Sequence, residues 1–428
     1  MVEIRRQYTK EASYLNWIEH IIRKLKFLGQ EMKSKIYTYF IFIKFLSLAF
    51  IPLSYADTNS DKSLTSYQIL KTKPIDKIKG SKIKSDPRLI VVGDFNNDGI
   101  NEYLGLSMSQ KYLLYAWGDK RLSKKDDKKY WEKGVELSKD PSWSAEFNTH
   151  TLGENNSLNG KWKIKIEGSQ ACVHPTQIIP SYFNNDNFVD FLIVCHGYDA
   201  KPFPGEHSYV MMSNGANSYK INRLTNKIGF YHDGATADFN KDGQVDILLV
   251  DKKSKKLRVY INNKGKFKEQ KKYFSQFDSF KNYASTEILD VNDDGYFDIF
   301  LSGNEASSYK PSPTLILLGN KKSKFSKSNK IIIPKVKDYG VVLDIIKHEK
   351  FVFIVRTGSK NRYQGAMIQL VDLDNISNFK VIKNDKMRWL DRIFKLNENS
   401  DKLKFGSLTD INKGIDFIFD GKDMKPIK

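Results

Sequence analysis

Cysteine is almost missing from this chain: 428 residues hold two, Cys172 and Cys195. Two cysteines so placed cannot build a metal cluster. Histidine is scarce too, with seven in all. No nucleophile elbow, P-loop, His-Glu-x-x-His or dinucleotide-binding glycine pattern occurs. The usual marks of serine hydrolases, NTPases, zinc proteases and Rossmann oxidoreductases are therefore lacking. No run of five basic residues occurs either, although Lys and Arg outnumber Asp and Glu by 70 to 50. Residues 1–56 carry nine Lys/Arg against four Asp/Glu, so +15 of the formal +20 belongs to the remainder. Acids are interleaved throughout, which argues against a nucleic-acid partner; a lysine-biased genome or attraction to an anionic surface fits better.

One long apolar run exists, residues 36–53, broken by Lys44. Lys33 and Lys35 precede it and Ser54-Tyr55-Ala56 follows, the anatomy of a secretory signal over residues 32–56. This reading starts translation at Met32, makes residues 1–31 a non-native extension and predicts an extracytoplasmic mature chain from Asp57. The alternative keeps the run as a single-pass membrane anchor, for which about 18 residues with a central lysine is short. Residues 1–31 also hold an amphipathic stripe, Leu15, Ile18, Ile22 and Leu25.

What is abundant is a phrase of acids and asparagines. Asp290-Val291-Asn292-Asp293-Asp294-Gly295-Tyr296-Phe297-Asp298 puts oxygen-bearing side chains at positions 1, 3, 5 and 9, with glycine at 6. Residues 238–246 copy it, and residues 94–102 copy it with Glu102 at the ninth place. Residues 182–190 are a decayed copy, with Tyr182 for the first acid and Asn187 for the glycine. A fifth register, from Asp344, keeps only its first acid and its apolar flanks. First positions at 94, 182, 238, 290 and 344 give intervals of 88, 56, 52 and 54. Repeats of this period with strands in each mean a propeller or an array. Hard cations such as Ca²⁺ take several oxygens at about 2.3–2.6 Å, and short acidic loops supply them. The EF-hand is ruled out. Its twelfth position needs an acid, and here Gly105, Leu249 and Leu301 stand there. A surface Asx-turn without metal remains the plain alternative.

The segments GDFNNDGINEYLGL, ADFNKDGQVDILLV and LDVNDDGYFDIFLSG resemble the FG-GAP/VCBS repeats of integrin α-subunit propellers and secreted bacterial proteins. The resemblance spans about residues 88–355. It implies an all-β propeller of six or seven four-stranded blades across residues 57–428, with Ca²⁺-binding hairpin loops between the first two strands of a blade. The implied ligands are Asp94, Asn96, Asp98 and Glu102; Asp238, Asn240, Asp242 and Asp246; and Asp290, Asn292, Asp294 and Asp298. Ile100, Gln244 and Tyr296 would add backbone oxygens. Asn184, Asp186 and Asp190 form a weaker set.

Further expectations follow from the strand pattern. Residues 112–117 read as a third strand, residues 118–159 as an insertion, and the run 67–70 as a strand completing the last blade. Cys172 and Cys195 flank the decayed repeat and are candidates for a disulfide. Loops between second and third strands lie at the end opposite the acidic loops. They offer His196, Tyr198, Asp199, His207, Asn304, Glu305, Tyr309, Arg356 and Tyr363 as ligand-binding candidates. Such residues suit a glycan or a cell-surface protein, bound by a monomer. The rival reading is an enzyme acting on polysaccharide around His196 and His207.

Overall fold

The computed structural model describes residues 87–426 apart from 109–144, 154–157, 169–171, 185, 198–202, 275–282, 307–310, 322–324, 359–362, 385, 387–389, 391, 396–401 and 407–414. The signal or anchor, the residues 1–31 stripe, the 67–70 run and the 112–117 run lie outside the described residues. The chain divides into two units, Met1–Asp61 and Lys62–Lys428, and the described residues all belong to the second.

The second unit is all-β. Its first sheet holds β1 (Ile90–Gly93), β2 (Glu102–Ser107) and β3 (Glu146–Thr151). The second holds β5 (Pro175–Ser181), β6 (Asp190–Cys195), β7 (Tyr209–Ser213) and β8 (Ser218–Arg223), with β4 (Lys165–Glu167) added parallel to β8. The third is β9 (Tyr231–Ala237), β10 (Asp246–Asp251), β11 (Lys256–Asn263) and β12 (Lys266–Gln270). The fourth is β13 (Tyr283–Leu289), β14 (Asp298–Gly303), β15 (Leu315–Leu317) and β16 (Lys330–Ile332). The fifth is β17 (Val341–His348), β18 (Phe351–Thr357), β19 (Ala366–Asp372) and β20 (Asn375–Asn384). The sixth is β21 (Arg392–Lys395), β22 (Lys402–Gly406), β23 (Ile415–Phe419) and β24 (Met424–Pro426).

Apart from β4, neighbouring strands in sequence pair antiparallel within each sheet, and the first strands of consecutive sheets, β5 being that of the second, lie side by side. This is the arrangement of propeller blades. The second strands explain why the sheets stack face to face. β10 is apolar on both faces: Ile247 and Leu249 join the core shared with the second sheet, while Leu248 and Val250 join the core shared with the fourth. Successive side chains point to opposite faces, so a strand buried on both reads as a continuous apolar run. The outer strands see water instead: β20 has no fully buried residue.

Three expectations are corrected here. The third strand of the first sheet is Glu146–Thr151, inside the expected insertion 118–159. The sixth sheet takes all four strands from its own stretch of chain, so an N-terminal strand is not needed to complete it. Asp344 opens no loop: it lies inside β17, and β17 meets β18 through a tight turn at Glu349 and Lys350.

A polar seam runs along the first strands. Asp233 accepts hydrogen bonds from Ser285 Oγ (2.8 Å) and Thr286 N (2.9 Å) of the next sheet. Arg392 of the last sheet donates from Nη1 to Glu287 Oε1 (3.2 Å) and lies 3.8 Å from Asp344 Oδ1. Ile393 N donates to Asp344 Oδ2 (2.9 Å).

Candidate functional site

Four acidic loops join the first and second strands of the first four sheets, at 94–101, 182–189, 238–245 and 290–297. The three full copies share one geometry. In the third sheet's loop, Asp238 accepts from Asp242 N (3.0 Å) and Gly243 N (2.7 Å). Asp94 and Asp290 do the same at their own fifth and sixth positions. Each Asn at position 3 donates to the Asp at position 5. Position 6 takes a positive φ, which favours glycine: Gly99, Gly243 and Gly295 have φ of 84°, 84° and 77°.

The ninth acid is buried in every copy and braces the loop internally. Asp246 accepts from Phe239 N (2.9 Å) and from Asn262 N (2.8 Å) on the third strand. Asp298 accepts from Val291 N and Gly319 N in the same way. Glu102 differs. Its Oε2 accepts from Phe95 N (2.8 Å), but its buried Oε1 has no hydrogen-bond partner. Carboxylate oxygens of Asp94, Asp98 and Glu102 come within 4.8 Å of one another, the only three-acid group of this kind among the described residues. Burial, aided by the charges of Asp98 and Asp94, pushes the Glu102 carboxyl up to about 7. Burial likewise raises Asp246 to about 7 and Asp298 to about 6. A buried orphan oxygen among clustered carboxylates is a donor set that a hard cation fits.

The decayed loop has closed on itself. Asn184 Nδ2 donates to Asp186 Oδ2 (3.0 Å) and Ser213 O (3.0 Å), and Ser213 Oγ also donates to Asp186. Asp190 takes N–H groups from Phe183, Asn184 and Ser213, and Asn187 adopts φ 67° where the others have glycine.

The opposite ends of these strands form a second rim. There the ring of His196 lies 4.0 Å from that of His174, 4.4 Å from Phe230 in a stacked arrangement and 5.8 Å from His232. Phe203, exposed and with φ 56°, meets Phe230 edge-on at 5.4 Å. Glu206 takes the N–H groups of Val173 (2.8 Å), His174 (3.1 Å) and Gly197 (2.8 Å). Beside it, Cys172 and Cys195 are joined in a disulfide. Burial pushes Glu206 up to about 8 and holds His196 and His232 well below the usual imidazole range.

The expected ligand-binding residues do not gather at one place. His207 is half-buried and meets Thr225 Oγ1 through Nδ1 (3.2 Å). Tyr363 is exposed on the fifth sheet, and Asn304 caps the Ala306 N–H. Tyr198, Asp199 and Tyr309 lie outside the described residues. His196 is buried and is corrected as a direct ligand contact; Glu305 and Arg356 are corrected as well, because both are sealed inside the protein. Arg356 Nη1 donates to Glu305 Oε2 (3.0 Å), Nε to Gln369 Oε1 (2.7 Å) and Nη2 to Pro334 O (3.1 Å). They bind the fourth sheet to the fifth. His174, Glu206, Phe230 and His232 are rim residues that sequence reasoning missed. His174, Glu206 and Phe230 stand shortly before a strand and His232 is the second residue of β9, positions where a side chain reads as packing.

Residues 238–301 match the model of the FG-GAP-like repeat. No curated protein matches the chain. Among solved structures it is similar to an α-L-arabinofuranosidase from Clostridium thermocellum, at 8% identity and TM-score 0.34, over 59% of this chain and 94% of the other. It is similar to a periplasmic gluconolactonase from Pseudomonas aeruginosa, at 7% identity and TM-score 0.35, over 66% and 91%. A sialidase from Streptococcus pneumoniae gives 7% and 0.34, over 83% of this chain and 62% of its own. Scores this low carry no chemistry across.

The matched FG-GAP-like stretch contains two of the three full acidic loops, and the copy at 94–102 lies before it. In it, Lys241 Nζ donates to Gly295 O (3.1 Å) and sits 4.1 Å from the Tyr296 ring centre, so one repeat's loop holds the next.

Proposed function

We propose that this chain is an extracytoplasmic β-propeller whose FG-GAP-like loops take up Ca²⁺ and whose opposite rim engages glycan. The observation that carries the glycan reading is the exposed ring of Phe203, backed by the buried rings of Phe230 and His196 and the half-buried rings of His174 and His232. Aromatic and imidazole faces stack on the apolar faces of sugars, and loops on a rigid scaffold are where such sites accumulate. Ca²⁺ would be held by Asp94, Asn96, Asp98 and Glu102, and by the equivalent residues of the other two full loops. It would supply the charge that lets those buried acids ionise, and so its binding would stabilise the fold. Nothing in the reading requires the metal to touch the glycan.

The full chain on a glycan array tests this. Binding that weakens at least about tenfold in Phe203→Ala, with an unchanged melt, supports it. Capture of a cell-surface protein with no glycan bound would replace it with the protein-partner reading. A hydrolytic reading has one feature in its favour: Glu206, on the loop carrying His196 and His207, is buried, and burial pushes its carboxyl up to about 8. A protonated carboxyl of this kind is what a general acid needs. Release of reducing ends from the bound glycan, lost in Glu206→Gln while binding persists, would make the protein an enzyme.

A further inference from the structure

The rim has a sign as well as a shape, and we infer that its ligand is an acidic polysaccharide, one bearing carboxylate or sulfate groups. This rests on the glycan reading and narrows it. Lys253 is exposed, and its Nζ donates to Pro204 O (2.8 Å), which stands it beside Phe203. Arg88 and Lys252 are half-buried, and both act electrostatically on His196 and His232. What matters here is their field, not a vacant donor.

Among the described residues, the acids of the same elements are turned inward. Asp251 binds Arg258 Nε (3.0 Å) and Nη2 (2.9 Å). Asp233 is held by Ser285 and Thr286 of the neighbouring sheet. Glu206 is buried under three backbone N–H groups. Cations therefore stand at the rim while carboxylates stand behind it. Burial keeps the imidazoles of His196 and His232 neutral, so they neither add to nor offset the charge of the lysines. A sugar laid on the exposed Phe203 ring would carry its anionic substituent toward Lys253. Such exposed attraction is screened within about 8 Å at physiological salt, so binding should be salt-sensitive.

The test is titration of the full chain with dextran sulfate and hyaluronate, against dextran and chito-oligosaccharide as neutral partners. The expected result is binding to at least one acidic polymer, at least about tenfold tighter than to its neutral partner and weaker in high salt. Lys253→Glu should weaken it roughly fivefold with an unchanged melt, and Lys266→Glu, on the outer strand β12, should not. The two acidic polymers separate sulfate from carboxylate. Equal or tighter binding of a neutral glycan, insensitive to Lys253→Glu, overturns the acidic inference and leaves the glycan reading standing. Equal losses in both lysine variants mean nonspecific adhesion to a basic protein and also overturn it. Binding to no glycan on any panel overturns both.

Discussion

Replacing Arg356 with methionine removes a guanidinium that is fully buried between the fourth and fifth sheets. Five contacts disappear at once: two to Glu305, and one each to Gln369 Oε1, Pro334 O and Tyr339 O. Pro334 O keeps Gln369 Nε2 (3.1 Å), and Glu305 keeps Thr314 N and Oγ1. The Glu305 carboxylate, however, loses its cation in a place water does not reach. Breaking a buried pair by removing one partner costs about 3–5 kcal/mol, mostly for the charge left behind. Arg356→Met should therefore lower stability by about 3–5 kcal/mol, read as the urea midpoint at constant slope. The double variant Arg356→Met with Glu305→Leu removes both charges and should recover most of that loss, because an apolar pair of similar volume is close to neutral. Glycan binding should survive in the folded double variant. A single variant that loses under about 1 kcal/mol would refute the assignment of these residues to the inter-sheet seam. So would one that loses ligand binding with its melt unchanged.

Three other outcomes are expected. The Cys172–Cys195 disulfide has a sequence separation of 23, so the Cys172→Ser, Cys195→Ser variant should be about 3 kcal/mol less stable in denaturant titration. Glu206 is raised in the folded state to about 8, so folding favours its protonated form. Its contribution is fully present below the unfolded carboxyl pKa of about 4.5 and is lost as pH rises through 8; melts between pH 5 and 8 should slope downward, and less steeply in Glu206→Gln. Ca²⁺ should raise the melting temperature and EGTA should reverse it. Asp94→Ala should remove part of that rise, and Asp186→Ala, in the self-closed loop, should leave it intact.

The acidic loops were legible because their chemistry is local. Position 6 must have positive φ and positions 1, 3 and 5 must cap nearby N–H groups, so composition and spacing record the turn. The strands behind them were legible because burial on both faces leaves an apolar run such as Asp246–Asp251. Both signals failed where the physics was not local. In the fifth sheet the apolar flanks align with the repeat, yet a two-residue turn does the loop's work, and Asp344 moves into the strand to meet Ile393 N and Arg392. β3 carries Glu146, Asn148, Thr149, His150 and Thr151, with little apolar alternation to mark it as a strand. Glu305 and Arg356 are 51 residues apart. Nothing in either neighbourhood distinguishes a charged loop residue waiting for a ligand from one half of a buried pair.

The seam along the first strands explains why so many ionisable groups sit inside an otherwise apolar protein. Stacked sheets held by apolar contact alone can slide, because side-chain packing is similar at neighbouring registers. Hydrogen bonds between fixed polar atoms cannot slide without leaving a buried charge unpaired, at several kcal/mol. Asp233 fixes the third sheet to the fourth, Glu287 and Asp344 fix the fourth and fifth to Arg392 of the sixth, and the charges of Arg392 and of Arg88, just before β1, both act on Asp233. Cations from the first and last sheets thus converge on an acid of the third. Charge complementarity of this kind favours one order of sheets over a slipped one, and it leaves the two loop rims free to diverge in chemistry.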